Sequence, residues 1–211
     1  MLQLLALCLM GTGVSHAALI DRGGGLVYDD VLNVTWLQDA QYAVTSGYST
    51  DPRLTYSQAM AFAEGLAYYD RVRGVTWSDW RLPGVVPTAT AGYDPSGASS
   101  ELGYMYYVNL GLSPIYPDAP KGKTESDLFV NLSNRAYWTG SVQKPDDAIW
   151  AFQFGYGNLG TTGANDAIRA WLVRDGDVGA APGVSVPEPG TLALLAAGLL
   201  GLALARRRRA A

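Results

Sequence analysis

The two most apolar stretches of the chain are its ends, and they leave residues 18–175 to build any folded body. Residues 2–14 form a run of signal-peptide length, followed by Ser15-His16-Ala17-Ala18, whose small residues suit cleavage after Ala17. The pattern predicts a signal peptide over 1–17 and an exported chain, although no Lys or Arg precedes Asp21 to form the usual positive n-region. The far end reads Val186-Pro187-Glu188-Pro189-Gly190-Thr191, then an uninterrupted apolar stretch to Ala205, then Arg206, Arg207, Arg208 and Arg209. At about 1.5 Å per residue that stretch is about 22 Å long as a helix, against a hydrocarbon core of roughly 30 Å. It predicts one marginal transmembrane helix, with the arginines held cytoplasmic and the body across the inner membrane.

Motif, apolar helix and basic cluster, in that order, resemble the PEP-CTERM sorting signal over residues 186–209. The resemblance implies that an exosortase, an integral-membrane cysteine protease or transpeptidase, recognises Pro187, Glu188 and Pro189 and processes the protein at the surface of a Gram-negative-type cell. The two prolines hold the tripeptide extended, a form that a protease cleft accepts. The alternative reading of the same residues is a single-span anchor on a Pro-rich stem. Residues 176–185, rich in Gly, Ala and Val without periodicity, read as a flexible stalk.

Between these ends the side chains exclude much chemistry. The only cysteine is Cys8 and the only histidine His16, both inside the expected signal, so the exported body has neither. Disulfides, thiolate or imidazole metal sites, Cys nucleophiles and Ser/His/Asp triads are thereby ruled out. With the four tail arginines and Glu188 set aside, the body carries 11 basic and 18 acidic residues, a formal charge of −7. Its basic residues are scattered apart from Arg71 and Arg73, which argues against nucleic acid or another polyanion as partner.

Local patterns predict an α+β domain. Gly23-Gly24-Gly25 marks a turn into an opening hairpin of apolar strands. Thr55 and Gln58 have capping-box spacing, and Ala59, Phe62, Leu66 and Tyr69 recur at helical intervals, predicting a helix over 56–70. A second helix is expected over 101–110, with Ser99 or Ser100 as N-cap and Gly111 just past its end. Trp150, Phe152, Phe154 and Tyr156 fall on one face of a strand. Turn chemistry at 157–163 and a return strand over 168–174 then complete a curled antiparallel meander.

The string from Tyr28 to Ala40, with Asp79-Trp80-Arg81-Leu82-Pro83, Tyr137-Trp138-Thr139-Gly140-Ser141 and Ala170-Trp171-Leu172-Val173-Arg174, resembles the landmarks of the Lcl C-terminal-like domain family. That family is similar to C-type-lectin-like folds, which implies two helices packed on curled antiparallel strands over residues 18–175. Its best-known member binds sulfated glycans, so the resemblance implies surface adhesion. An acidic body is a poor match to a heparin-like ligand, and that part is not carried over.

Trp77 and Tyr93, in Gly/Ser/Pro-rich surroundings, are the candidates for rings that stack on sugars, whereas Trp138, Trp150, Phe152 and Phe154 read as core. Carboxylates and amides gather at Asp29/Asp30/Asn33, at Asp146/Asp147 and at Asn165/Asp166, hard oxygen donors of the kind calcium takes, or else solvated turn residues. Asp146 and Asp147 are candidate ligand-binding residues as well. Gln143-Lys144-Pro145-Asp146 resembles, with a lysine inserted, the Gln-Pro-Asp loop of calcium-dependent lectins. Asp79, Glu101 and Asp147 would serve glycoside hydrolysis only if the fold paired two of them, and no phosphate loop, dinucleotide fingerprint or metal-hydrolase motif occurs. In Asp79-Trp80-Arg81 a buried Trp beside an Asp/Arg pair is expected. The function expected is non-catalytic binding of polysaccharide or a surface protein. A carboxylate-dependent glycan-modifying enzyme and a purely structural matrix protein are the alternatives.

Overall fold

The computed structural model describes residues 19–113, 125–143 and 147–179. The expected signal peptide, sorting motif, transmembrane stretch and arginine cluster lie outside them, as do Lys144, Pro145 and Asp146. Strand β1 (Leu19–Gly23) turns through Gly23, Gly24 and Gly25 into β2 (Leu26–Asp29). At Gly24 the backbone takes φ 64°, and a Cβ would stand 2.9 Å from Asp70 Oδ1, so the turn needs glycine there for room as well as for conformation. Next come β3 (Val34–Leu37), α1 (Tyr42–Thr45), α2 (Tyr56–Gly65) and a small hairpin of β4 (Tyr68–Asp70) with β5 (Val75–Trp77). They are followed by β6 (Gly92–Tyr93) and by α3 (Glu101–Tyr104), which runs into a π-helical turn, Met105–Asn109. The chain ends its described course in β7 (Ala136–Gln143), β8 (Ala148–Gln153), β9 (Asn158–Thr162) and β10 (Val173–Asp175).

Two four-stranded antiparallel sheets result, ordered β1-β2-β3-β10 and β6-β9-β8-β7. The architecture is α+β, dominated by sheet. Among the described residues no helix is long and apolar enough to cross a membrane. One compact unit extends through Val178, whose side chain is 2% exposed. Gly176 and Asp177, read above as the start of a stalk, bond to the body: Gly176 N–H donates to Asn33 O at 2.8 Å, and Arg22 holds Asp177 through two bonds of 2.9 and 2.6 Å.

The caps form as the side chains dictate. Thr55 Oγ1 accepts from Gln58 N–H and Gln58 Oε1 accepts from Thr55 N–H, the full capping box of α2. Ser100 Oγ accepts from Gly103 N–H at 3.0 Å and starts α3. The expected extents are corrected in three places. Helix α2 stops at Gly65 instead of running to Asp70, because Leu66 turns extended and 68–70 pair with β5, leaving Tyr69 exposed. The 101–110 segment tightens α3 for only one turn and then widens, with Leu110 N–H donating to Met105 O. The aromatic strand ends at Gln153, so Phe154 is buried beyond it and Tyr156 turns out to solvent, while Asn158–Thr162 is strand rather than turn.

The return segment also departs from expectation. Residues 168–174 do not close the β7–β9 meander; Val173 pairs with Trp36 of β3, and Ile168 and Arg169 make single bridges to Leu54 and Tyr137. The reason is Trp171. Its ring meets Trp36 at 4.6 Å and Tyr137 and Phe154 at 6.1 Å each, and its Nε1 donates to Leu37 O at 2.7 Å. Trp138, Trp150, Phe152 and Phe154 are core.

Candidate functional site

Trp77 ends β5 half-buried, with one face covered by the Arg174 guanidinium 4.3 Å from the ring centroid and with its Nε1 donating to Asp70 at 3.3 Å. Tyr93 stands on edge strand β6 with 62% of its surface exposed. The two rings belong to different sheets. Asp147 sits at φ 53° in the β7–β8 turn. Asn165 and Asp166 are exposed beyond β9, where Asp166 accepts from Gly163 N–H at 3.0 Å and from the Thr162 hydroxyl. Asp29 is fully buried: it accepts from Val31 and Leu32 N–H and from Asn109 Nδ2 at 2.6 Å, closing the β2–β3 turn. Asn33 closes the same turn at φ 52°, its Oδ1 accepting from the Tyr28 hydroxyl. Among the described residues no group of three or more Asp, Glu, His or Cys is placed to hold a metal.

Trp80 is buried as expected, but the Asp79/Arg81 pair beside it does not form. Arg81 and Val173 exchange backbone hydrogen bonds of 2.8 and 3.0 Å, and that register offers each side chain a cross-strand partner in preference to a local one. Arg174 grips Asp79 through two bonds of 2.8 Å, which holds the Asp79 carboxyl below its usual range. Arg81 takes Glu101 through bonds of 2.7 and 2.8 Å and Asp175 at 2.6 Å, while Glu101 also accepts from Gly84 N–H. Two of the three carboxylates considered for hydrolysis are thus bound to arginine.

A feature that sequence reasoning missed is a cleft of about 760 Å³ lined by Arg53, Arg135, Arg169, Asn134, Gln153 and Tyr156, among others. Its walls come from segments far apart in the chain and are knitted by backbone bonds. Leu54 and Ile168 exchange bonds of 2.7 and 3.1 Å, Arg169 N–H donates to Ala136 O, and Trp138 N–H donates to Arg169 O. Phe154 N–H donates to Arg135 O, extending the β7–β8 ladder to the cleft rim. There Gly155 lies so close to the opposite chain that a Cβ would meet Asn134 O at 3.2 Å.

Three arginines far apart along the sequence, Arg53, Arg135 and Arg169, are gathered here in space. Arg53 is paired with exposed Asp51, whose carboxyl it pulls down to about 2. The ion pairs among the described residues take up Arg22, Arg53, Arg73, Arg81 and Arg174, and none takes up Arg135 or Arg169. Arg169 Nε is buried without a hydrogen-bond partner. Tyr156 at the rim is 53% exposed. No local motif marks these residues; only the bridges at Leu54 and Tyr137 bring them together.

Comparison with known proteins places one part of the chain. A family described as the PEP-CTERM protein-sorting motif matches residues 185–209, agreeing with the resemblance read from 186–209. The motif marks a protein exported, recognised by an exosortase and processed at the cell envelope. No curated protein and no solved structure matches the chain, and the resemblance of the body to the Lcl C-terminal-like and C-type-lectin-like domains finds no support there.

Proposed function

We propose that this exported exosortase substrate is a non-catalytic binding module of the cell surface or extracellular matrix, engaging polysaccharide through its folded body. In this reading residues 192–205, backed by Arg206–Arg209, hold a precursor in the inner membrane until processing, and the body then acts in the exopolysaccharide layer as the lectin-like resemblance implies. The observation that carries it is the sorting motif at 185–209 placed directly after a compact unit that ends at Val178. Supporting a binding rather than a hydrolytic role, Asp79 and Glu101 are each bound bidentately by an arginine. A hydrolytic pair needs one carboxyl held protonated beside a free carboxylate.

The test has two arms. Deleting residues 192–209, or changing Glu188→Ala, should redirect the protein within the native host, followed by fractionation and intact mass; an unchanged destination overturns the sorting reading. Wild-type protein should co-sediment with native matrix polysaccharide, run with and without EDTA to ask whether calcium takes part. Absence of binding in both conditions overturns the binding reading.

A further inference from the structure

We propose that the cleft between residues 53, 134–136, 153–156 and 167–169 is a subsite for a carboxylated sugar, a uronate unit of an acidic polysaccharide; this deepens the glycan-binding reading and rests on it. The body carries −7, yet two of its guanidiniums, Arg135 and Arg169, face this cleft outside any described ion pair. A guanidinium offers parallel donors in a planar fork that matches a carboxylate. Arg169 Nε is buried without a hydrogen-bond partner, its backbone is bonded to Ala136 and Trp138, and Asp51 acts on it electrostatically without closing an ion pair.

The other lining residues suit the rest of a sugar. The exposed Tyr156 ring supplies a flat apolar face with a polar tip, the surface that packs on a pyranose. Asn134 and Gln153 each present an amide donor and acceptor for hydroxyls. Charge density selects the class of anion. Beyond a screening length of roughly 8 Å the acidic body contributes little, but exposed Asp51 and Asp166 stand two residues and one residue along the chain from the lining residues Arg53 and Ala167, and there a densely sulfated chain meets like charge. A chain with one carboxylate per sugar places its charge on the arginines and neutral hydroxyls elsewhere. Arg53 is already engaged by Asp51 and acts as the weaker, outer cation.

Full-length protein in detergent would be titrated calorimetrically, at physiological salt, with tetramers of galacturonate, glucuronate and mannuronate, with the methyl ester of the best binder, and with a heparin tetramer. The expected result is binding of at least one uronate tetramer, at least about tenfold weaker for its ester and for heparin, as charge-assisted pairing requires. Arg135→Gln, at an exposed position, and Arg169→Gln should each weaken binding by about tenfold or more, with Arg53→Gln weaker in effect. Unchanged melting temperature certifies the variants, and Arg135→Gln alone decides if Arg169→Gln unfolds. No uronate binding, equal binding of the ester, tighter heparin, or an undiminished Arg135→Gln each overturns the subsite. Failure here with matrix co-sedimentation intact leaves the binding reading standing; loss of co-sedimentation by the wild type overturns that reading first.

Discussion

The rings of Trp36 and Trp171 meet with centroids 4.6 Å apart and planes inclined at 49°, and through this contact the β1-β2-β3-β10 sheet is joined to Tyr137 and Phe154 of the other sheet region. Trp171 is fully buried, so Trp171→Ala removes the common neighbour of both sheets. The expected loss is about 3–5 kcal/mol of unfolding free energy, measured by urea denaturation. Trp171→Phe keeps most of the packing and removes the bond to Leu37 O, and should lose about 1–2 kcal/mol.

Arg81 joins two acids of unequal burial. Glu101 is 18% exposed and Asp175 is 77% exposed at the side chain. Arg81→Ala strands Glu101 partly buried and should lower stability by about 2 kcal/mol, whereas Asp175→Ala should change it by less than about 0.5 kcal/mol. Equal losses in the two variants would contradict the assignment of Glu101 as the principal partner.

Burial raises the Asp29 carboxyl above its usual value, against the lowering effect of its hydrogen bonds from Leu32, Asn109 and Val31. A raised folded value means that its contribution to stability is present below the unfolded pKa of about 3.9 and is lost as pH rises through the folded value. Asp29→Asn cannot ionise, so it should equal or exceed wild type at pH 7 by up to about 1 kcal/mol, with the advantage shrinking toward pH 3. Once the Asn109 side chain turns over, the new amide donates to Asn109 Oδ1 in place of the bond that Asp29 Oδ2 accepts from Asn109 Nδ2, so the pair keeps one hydrogen bond. Denaturation midpoints at pH 3, 5 and 7 test this.

Gly157 adopts φ 73°, and a Cβ there would stand 2.6 Å from Tyr106 Cε1 and 2.9 Å from the Tyr107 hydroxyl. Strain and overlap act together, so Gly157→Ala should cost about 2–4 kcal/mol, read from the thermal or urea midpoint. Gly160→Ala, in the adjacent strand with open space at the Cβ position, should cost less than about 1 kcal/mol and serves as the comparison.

Sequence alone determined what acts over a few residues. Thr55 with Gln58, Ser100, and the glycines at 23–25 set helix starts and a turn because each side chain or backbone meets its partner within one turn of chain. The sorting end is equally local, a motif read in linear order. What the tertiary structure decided is pairing at a distance. Residues 168–174 were legible as extended, but their partner was not, since period-two alternation does not say which sheet will bury Trp171. That choice set the Arg81–Val173 register, which in turn assigned Arg174 to Asp79 and Arg81 to Glu101. The same bridges drew Arg53, Arg135 and Arg169 to one cleft, because side chains far apart in the chain become neighbours only when packing and backbone hydrogen bonds select among competing strand partners.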